Sequence, residues 1–275
     1  MNTFHTLLSL RETSHSPTST CAKCSSRIRC LPSGLDERYI TQLDKIIGKR
    51  RWIERNDLLF RVGEPFQNLY IIHCGQFKTF QDNMRGKQHV TGFHMAGELL
   101  GMSAISSGFQ DNNAMALEDS EVCEVPFLRL QELCAEVPVL QQHFHRMLSD
   151  EINREQRIMR FLGSRAEQRF AIFLLDLSAR YAARGYSSSH FQVLMSREDI
   201  GNYMGLTMES ISRLMSKFRK NGWIDTDGKN LRICDYGAIE TIANDDDIEA
   251  QDIATTLLRK AKARQPLSSK ATVNH

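Results

Sequence analysis

The sequence predicts an α+β chain in two parts, an N-terminal β-roll and a C-terminal winged helix-turn-helix, joined by one long helix. Three observations carry that prediction. Between Arg51 and Pro126, short apolar or alternating runs (LYIIHCGQFKTF, QHVTGF, AMAL, EVCEV) are interrupted by Gly63, Gly75, Gly86, Gly92, Gly97, Gly101 and Gly108, the pattern of an antiparallel roll or barrel with tight turns. From Pro138 to Gly163 a helical pattern runs with no internal Pro or Gly to break it. Beyond it, REDIGNYM, a glycine, and MESISRLMSKFRKN read as helix, turn, helix, and GWIDTDGKNLRI reads as an Asp-Gly hairpin or wing.

The elements follow in order. Residues 1–20 are rich in Ser, Thr and His without periodicity, and read as a disordered arm. Next comes CAKCSSRIRC, residues 21–30, which places Cys21, Cys24 and Cys30 within ten residues. Apolar residues at 40, 43, 46 and 47 then give a short helix. Residues 21–137 form a sensor domain built on the roll, 138–163 a dimerisation helix, 164–243 the winged helix-turn-helix and 244–275 a solvated tail. The dimerisation reading rests on Leu148, Ile152, Glu155, Met159 and Leu162, spaced 4, 3, 4, 3 as in the seam of a helix pair. One seam position is acidic, so two copies of Glu155 would face one another while losing water and would oppose pairing.

At 275 residues and 41% hydrophobic content the chain can bury two modest cores. No apolar run approaches the ~18 residues of a membrane helix, and the first twenty residues lack the features of a secretory signal. The expected location is the cytoplasm. Seven cysteines are an odd number for a disulfide framework there. No nucleophile motif with a recognisable context is present, and a Cys74, His89 and His94 arrangement is the best an enzyme could offer, so the chain reads as not an enzyme.

The second helix of the pair carries a reading chemistry. Glu209, Ser212 and Arg213 share one face near its start, while Ile211, Leu214 and Phe218 form the opposite stripe. Arg213 suits guanine O6 and N7, Glu209 suits cytosine N4, and Ser212 a base edge or phosphate, in the major groove of double-stranded DNA. Lys217, Arg219 and Lys220 suit backbone contacts that position the helix. Ser196 with Asp199 forms a capping-box start for the first helix, and Thr207 can cap the second.

A glycine-punctuated roll, a seam helix and a winged helix-turn-helix in this order resemble the cyclic-AMP receptor protein superfamily. Within it, the chain is similar to the fumarate and nitrate reduction regulators (FNR), over roughly residues 20–240. The resemblance is carried by C-x2-C-x5-C, VTGFHMAGELLG (90–101), SEVCEVPF (120–127) and DIGNYMGLTMESISRL (199–214). It implies a cyclic-nucleotide-binding-like roll and an oxygen-labile [4Fe-4S] cluster on Cys21, Cys24, Cys30 and a fourth cysteine. Spacing leaves Cys74, Cys123, Cys134 and Cys234 open for the fourth; the match of SEVCEVPF implies Cys123, and the other three then read as buried small hydrophobes.

The resemblance further implies a regulator, mainly an activator, of anaerobic metabolism. It would be a homodimer with its cluster and a monomer without, binding palindromic TTGAT-type half-sites and contacting RNA polymerase through loops such as 82–89 and 184–189. Cyclic-nucleotide-binding relatives hold the phosphate with an Arg-Ser pair where this sequence has Asn113 and Ala114, so no cyclic nucleotide is expected. On spacing alone the alternative is a zinc-stabilised or thiol-redox regulator on the same scaffold with no iron-sulfur cluster. The spacer SSRIR also sets two cations, Arg27 and Arg29, between the second and third thiols.

Overall fold

The computed structural model describes residues 20–244, apart from 25, 49, 83–85, 87 and 162, with the side chains of 157–161 also outside the description. The arm before Thr20, the tail beyond Asn244, Leu162 and the side chain of Met159 therefore lie outside the described residues. The chain forms two compact units, Met1–Glu155 and Gln156–His275, and the boundary falls inside the long helix rather than after Gly163.

In the first unit, two short 3-10 turns, Cys21–Lys23 and Arg27–Arg29, precede helix α1 (Glu37–Ile46). Strands β1 (Arg50–Ile53), β2 (Leu58–Phe60), β3 (Asn68–Cys74), β4 (Gln76–Asp82), β5 (Gln88–Met95), β6 (Leu99–Leu100), β7 (Asn113–Ala116) and β8 (Ser120–Pro126) follow. They make two antiparallel four-stranded sheets, ordered β1-β8-β3-β6 and β2-β7-β4-β5. Helices α2 (Phe127–Glu136) and α3 (Pro138–Phe161) complete the unit and lead out of it.

The period of two in a strand decides what each face of the first sheet does. Ile72 and Val122 point into the roll, joining Phe60, Phe77, Leu100 and Ala114. Their neighbours Ile71, Cys123 and Val125 point the other way, into a second core with Leu31, Leu35, Ile40, Leu43, Leu130, Leu140 and Phe144. Cys123 thus faces the layer formed by the N-terminal segment, α1, α2 and the start of α3.

Helix α3 bears two stripes of the same 4, 3, 4 spacing. Leu140 and Phe144 are buried in that second core and Met147 packs against it. Glu151 and Arg154 extend this inward stripe. One position further on, Leu148 is half-buried, whereas Ile152 is 54% exposed and Glu155 is exposed. The seam predicted from sequence is this second stripe.

The second unit opens with α4 (Ala166–Ala183), followed by β9 (His190–Gln192), α5 (Arg197–Met204), α6 (Met208–Lys220), β10 (Ile224–Asp227), β11 (Asn230–Ile233) and α7 (Tyr236–Ala243). Phe218 of α6 is fully buried, edge-on to Phe170 of α4 and to Trp223. Burying a side chain of this size is worth about 2–3 kcal/mol and fixes which face of α6 turns outward. A three-stranded sheet, β10-β11-β9, forms the wing. Asp227 pairs with Asn230, so the hairpin turn is Gly228-Lys229 rather than Asp-Gly, with Gly228 at φ 57° as a type II′ turn asks. Among the described residues no helix is long and apolar enough to cross a membrane.

Candidate metal centre and DNA-reading face

Cys21, Cys24 and Cys30 are wound into the two 3-10 turns, with Cys24 N–H donating to the Cys21 carbonyl (3.3 Å) and Cys30 N–H to that of Arg27 (3.4 Å). The segment is fastened at each end. Cys21 N–H donates to Asp44 Oδ1 of α1 (2.8 Å), and the Cys30 carbonyl accepts from His143 Nε2 of α3 (3.1 Å). Between them, Ser26 Oγ donates to the His73 carbonyl of β3 (3.3 Å). The Arg27 guanidinium reaches the carbonyls of Ala22 (3.4 Å) and Leu35 (3.5 Å), so this cation closes the loop on itself, while Arg29 and Ile28 are exposed.

The four predicted thiols share one electrostatic neighbourhood. Burial, then hydrogen bonding and charge from Asp44, then the charges of Cys30 and Cys123, hold the Cys21 thiol far above its ordinary range. Burial does the same to Cys30, with Cys123 and Cys24 adding to it. Cys123 is pushed up to about 11 by burial and the charge of Cys24, against the pull of Arg50. Cys134 feels burial alone, and the charges around Cys74 are Glu121, Glu118 and Arg50 rather than other thiols. Cys134 is buried as expected, but Cys74 and Cys234 are exposed, which corrects the reading of both as buried hydrophobes. Cys74 ends β3 and Cys234 follows β11, where side chains meet solvent.

Four neighbouring thiols are a soft donor set of the kind iron-sulfur clusters and zinc take. Binding would exchange thiol protons for metal charge and so remove the cost that burial places on the thiolates of Cys21, Cys30 and Cys123. The residues present therefore fit such a group. Among the described residues, no three His, Cys, Asp or Glu side chains stand close enough to ligate one ion.

The metal-free protein should lose stability at alkaline pH. A thiol whose folded value lies above the ordinary 9 contributes stability that is complete below 9 and is lost as pH rises through the folded values, about 11 for Cys123. Thermal unfolding midpoints should fall between about pH 9 and 11, and fall less in a Cys30→Ser/Cys123→Ser chain; equal slopes would contradict this.

In the second unit the expected caps are present. Ser196 Oγ accepts from Asp199 N–H (3.0 Å) and Asp199 Oδ2 from Ser196 N–H (3.1 Å), while Thr207 Oγ1 accepts from Ser210 N–H (3.2 Å). Gly205 ends α5 at φ 64°, in the left-handed region. Gly201 was not singled out from sequence, yet a Cβ there would sit 2.8 Å from the Leu206 carbonyl oxygen. Only a glycine lets the turn pack that closely on α5.

Glu209 and Arg213 are exposed on the outward face of α6, and Ser212 is half-buried beside them. Bonding to its own backbone N–H at the helix start, then to Thr207, then the charge of Arg213, holds the fully exposed Glu209 carboxyl below its usual range. It is thus ionised and purely an acceptor at neutral pH. Ser212 Oγ donates to the Met208 carbonyl (2.9 Å) and accepts from Arg197 Nη1 (3.3 Å). Arg197, at the first position of α5, is a cation beside the reading face that periodicity could not identify. Lys217 is paired with Glu167 of α4, so a phosphate would have to displace that carboxylate; Arg219 and Lys220 are exposed.

A roll with a group of neighbouring, partly buried thiols and a winged helix-turn-helix whose second helix turns an exposed, ionised face outward define a class: a DNA-binding transcription regulator with a sensor domain. The comparisons agree. Residues 168–242 match the family model for the Crp-like helix-turn-helix domain, and residues 50–137 match that for the cyclic nucleotide-binding domain. The chain is 41% identical over 224 residues to the fumarate and nitrate reduction regulatory protein of Escherichia coli K12, covering 81% of this chain and 90% of that protein. It is 40% identical over 220 residues to the transcriptional activator protein anr of Pseudomonas aeruginosa, covering 80% and 90%. Its fold is similar to that of FixK2 from Bradyrhizobium japonicum, with TM-score 0.64 and 23% identity over 70% of this chain and 96% of that one. The chain belongs to the fumarate and nitrate reduction regulator family within the CRP/FNR superfamily, and it is a transcription regulator rather than an enzyme.

Proposed function

We propose that this regulator controls anaerobic metabolism, mainly as an activator, through an oxygen-labile [4Fe-4S] cluster held by Cys21, Cys24, Cys30 and Cys123. The observation that carries the reading is that thiols of separate elements meet: Cys30 of the N-terminal segment and Cys123 of β8 are buried in one core with Cys21 packed against it, and Cys24 lies against His73 of the neighbouring β3. A bound cluster would supply a metal tie between those elements. The chain does the rest. Fastening Cys30 also fastens its carbonyl, which His143 of α3 grips, so the state of the segment reaches the helix that carries Ile152 and Glu155.

With the segment fixed, α3 pairs with its copy in a homodimer despite the facing Glu155 carboxylates; without it, repulsion prevails and the chain is a monomer. Two copies of α6 then meet palindromic TTGAT-type half-sites about 34 Å apart, with Glu209, Ser212 and Arg213 on bases and Lys217, Arg219 and Lys220 on phosphates. RNA polymerase is contacted through surface loops such as 184–189; residues 83–85 and 87 of the other candidate loop lie outside the described residues. Cyclic nucleotides are not ligands. Asn113 is buried and committed internally, donating to Asp82 Oδ2 (3.2 Å) and accepting from Val62 N–H (3.0 Å).

Anaerobic purification tests this reading. A brown protein with about four irons and four acid-labile sulfides per chain, binding a palindromic probe only when loaded, supports it; a colourless zinc protein sinks it. Separately, Glu155→Ala should dimerise in air, as sedimentation would report, where the parent does not. An equally monomeric variant would remove Glu155 from the mechanism.

A further inference from the structure

Two donors that no sequence motif indicated stand against the thiols. Arg50 of β1 is the register partner of Cys123 on β8, and its side chain is hydrogen-bonded to Cys123. The same guanidinium, through Nη1, lies 3.1 Å from His73 Nε2 and 3.4 Å from Glu121 Oε2. A guanidinium can only donate, so His73 Nε2 must accept and the ring proton must sit on Nδ1. Nδ1 lies 3.4 Å from Cys24 Sγ. The imidazole therefore donates N–H to a second thiol of the group. Glu121 holds Arg50 in place, and all three side chains are largely buried, at 25% exposure for Arg50, 17% for His73 and 18% for Glu121.

We propose that Arg50 and His73 form a donor relay onto Cys123 and Cys24 that sets how readily the metal centre is oxidised by dioxygen, Arg50 acting partly by positioning the His73 proton. This rests on the iron-sulfur reading above. A hydrogen bond donated to a ligating sulfur favours the state with more negative charge. Passing one electron from the centre to dioxygen, which takes it up as superoxide, then becomes harder. Each lost donor should speed that oxidation about tenfold, the lower end of the effect of one hydrogen bond to a charged group.

The test compares the anaerobically loaded parent with His73→Leu, His73→Asn and Arg50→Met. Asn keeps an N–H where the imidazole Nδ1 sits. Iron and sulfide content, the reduction potential by voltammetry and the decay of cluster absorbance in air are read for each. The proposal expects full loading throughout. It further expects a lower potential and about tenfold faster decay in His73→Leu and Arg50→Met, with His73→Asn near the parent. Potentials and decay rates equal to the parent's in fully loaded His73→Leu and Arg50→Met overturn the relay alone. A parent without iron and sulfide overturns the cluster reading and the relay together.

Discussion

Arg213→Ala should weaken binding to a palindromic operator by about a hundredfold or more, because a bidentate Arg–guanine contact contributes about 1–3 kcal/mol and the dimer makes it twice. The side chain is exposed on the outward face of α6, opposite the buried Ile211, Leu214 and Phe218, so its removal leaves the fold intact. Loss of sequence preference is the diagnostic. Against probes substituted at the guanine, the variant should lose the discrimination that the parent has. Lys220→Ala should weaken all probes alike and reduce the slope of log affinity against log salt by about one per half-site. Anisotropy titrations with both probe sets at several salt concentrations separate the cases. A uniform loss for Arg213→Ala across all probes would move Arg213 from the bases to the backbone.

The helix-turn-helix was legible because its signals are local. The capping box needs only Ser196 and Asp199, and the burial of Ile211, Leu214 and Phe218 needs only the helical period. The resemblance of SEVCEVPF pointed to Cys123, and the strand period turns that side chain away from Val122 into the core that holds Cys30. Contacts between distant segments were not legible. Nothing in SSRIR says that Arg27 closes back on Ala22 and Leu35, and nothing in α6 says that Lys217 meets Glu167, fifty residues away. Arg50 and His73 are twenty-three residues apart and meet only because β1 and β3 flank β8. Helix α3 shows the limit of periodicity: two stripes of equal spacing lie one residue apart, and what tells them apart in the sequence is that the apolar run of the seam continues where the inward stripe turns charged.

That charged end of the inward stripe yields the largest expected change in stability. Arg154 donates through Nη1 to Glu98 Oε2 (2.9 Å) and through Nη2 to Glu151 Oε1 and to His94 Nδ1 (3.2 Å). His94 accepts there, so its proton is on Nε2, donated to Thr79 Oγ1 inside the roll (3.1 Å). Side-chain exposures of 12% for Arg154, 20% for Glu98, 19% for Glu151 and 7% for His94 leave little water to replace a lost partner. Burial already raises the Glu151 carboxyl, with Arg154 opposing and Glu98 adding to the rise.

Arg154→Met would leave two carboxylates facing each other out of water, at a cost of about 3 kcal/mol or more. Urea unfolding of the metal-free first transition should show it. Adding Glu98→Gln should recover part of the loss, since the two sites share one network. A change below about 1 kcal/mol would mean that the ions are better hydrated than their exposure implies. Because Arg154 grips the roll and Glu155 follows it immediately on the helix, about 100° further round, the same contact fixes the rotation that turns Glu155 outward. Arg154→Met should therefore also loosen the dependence of dimerisation on cluster loading, so that sedimentation in air and under nitrogen converge. If the variant loses stability but keeps the parent's full difference between air and nitrogen, the ion cluster fastens α3 to the roll without taking part in the switch.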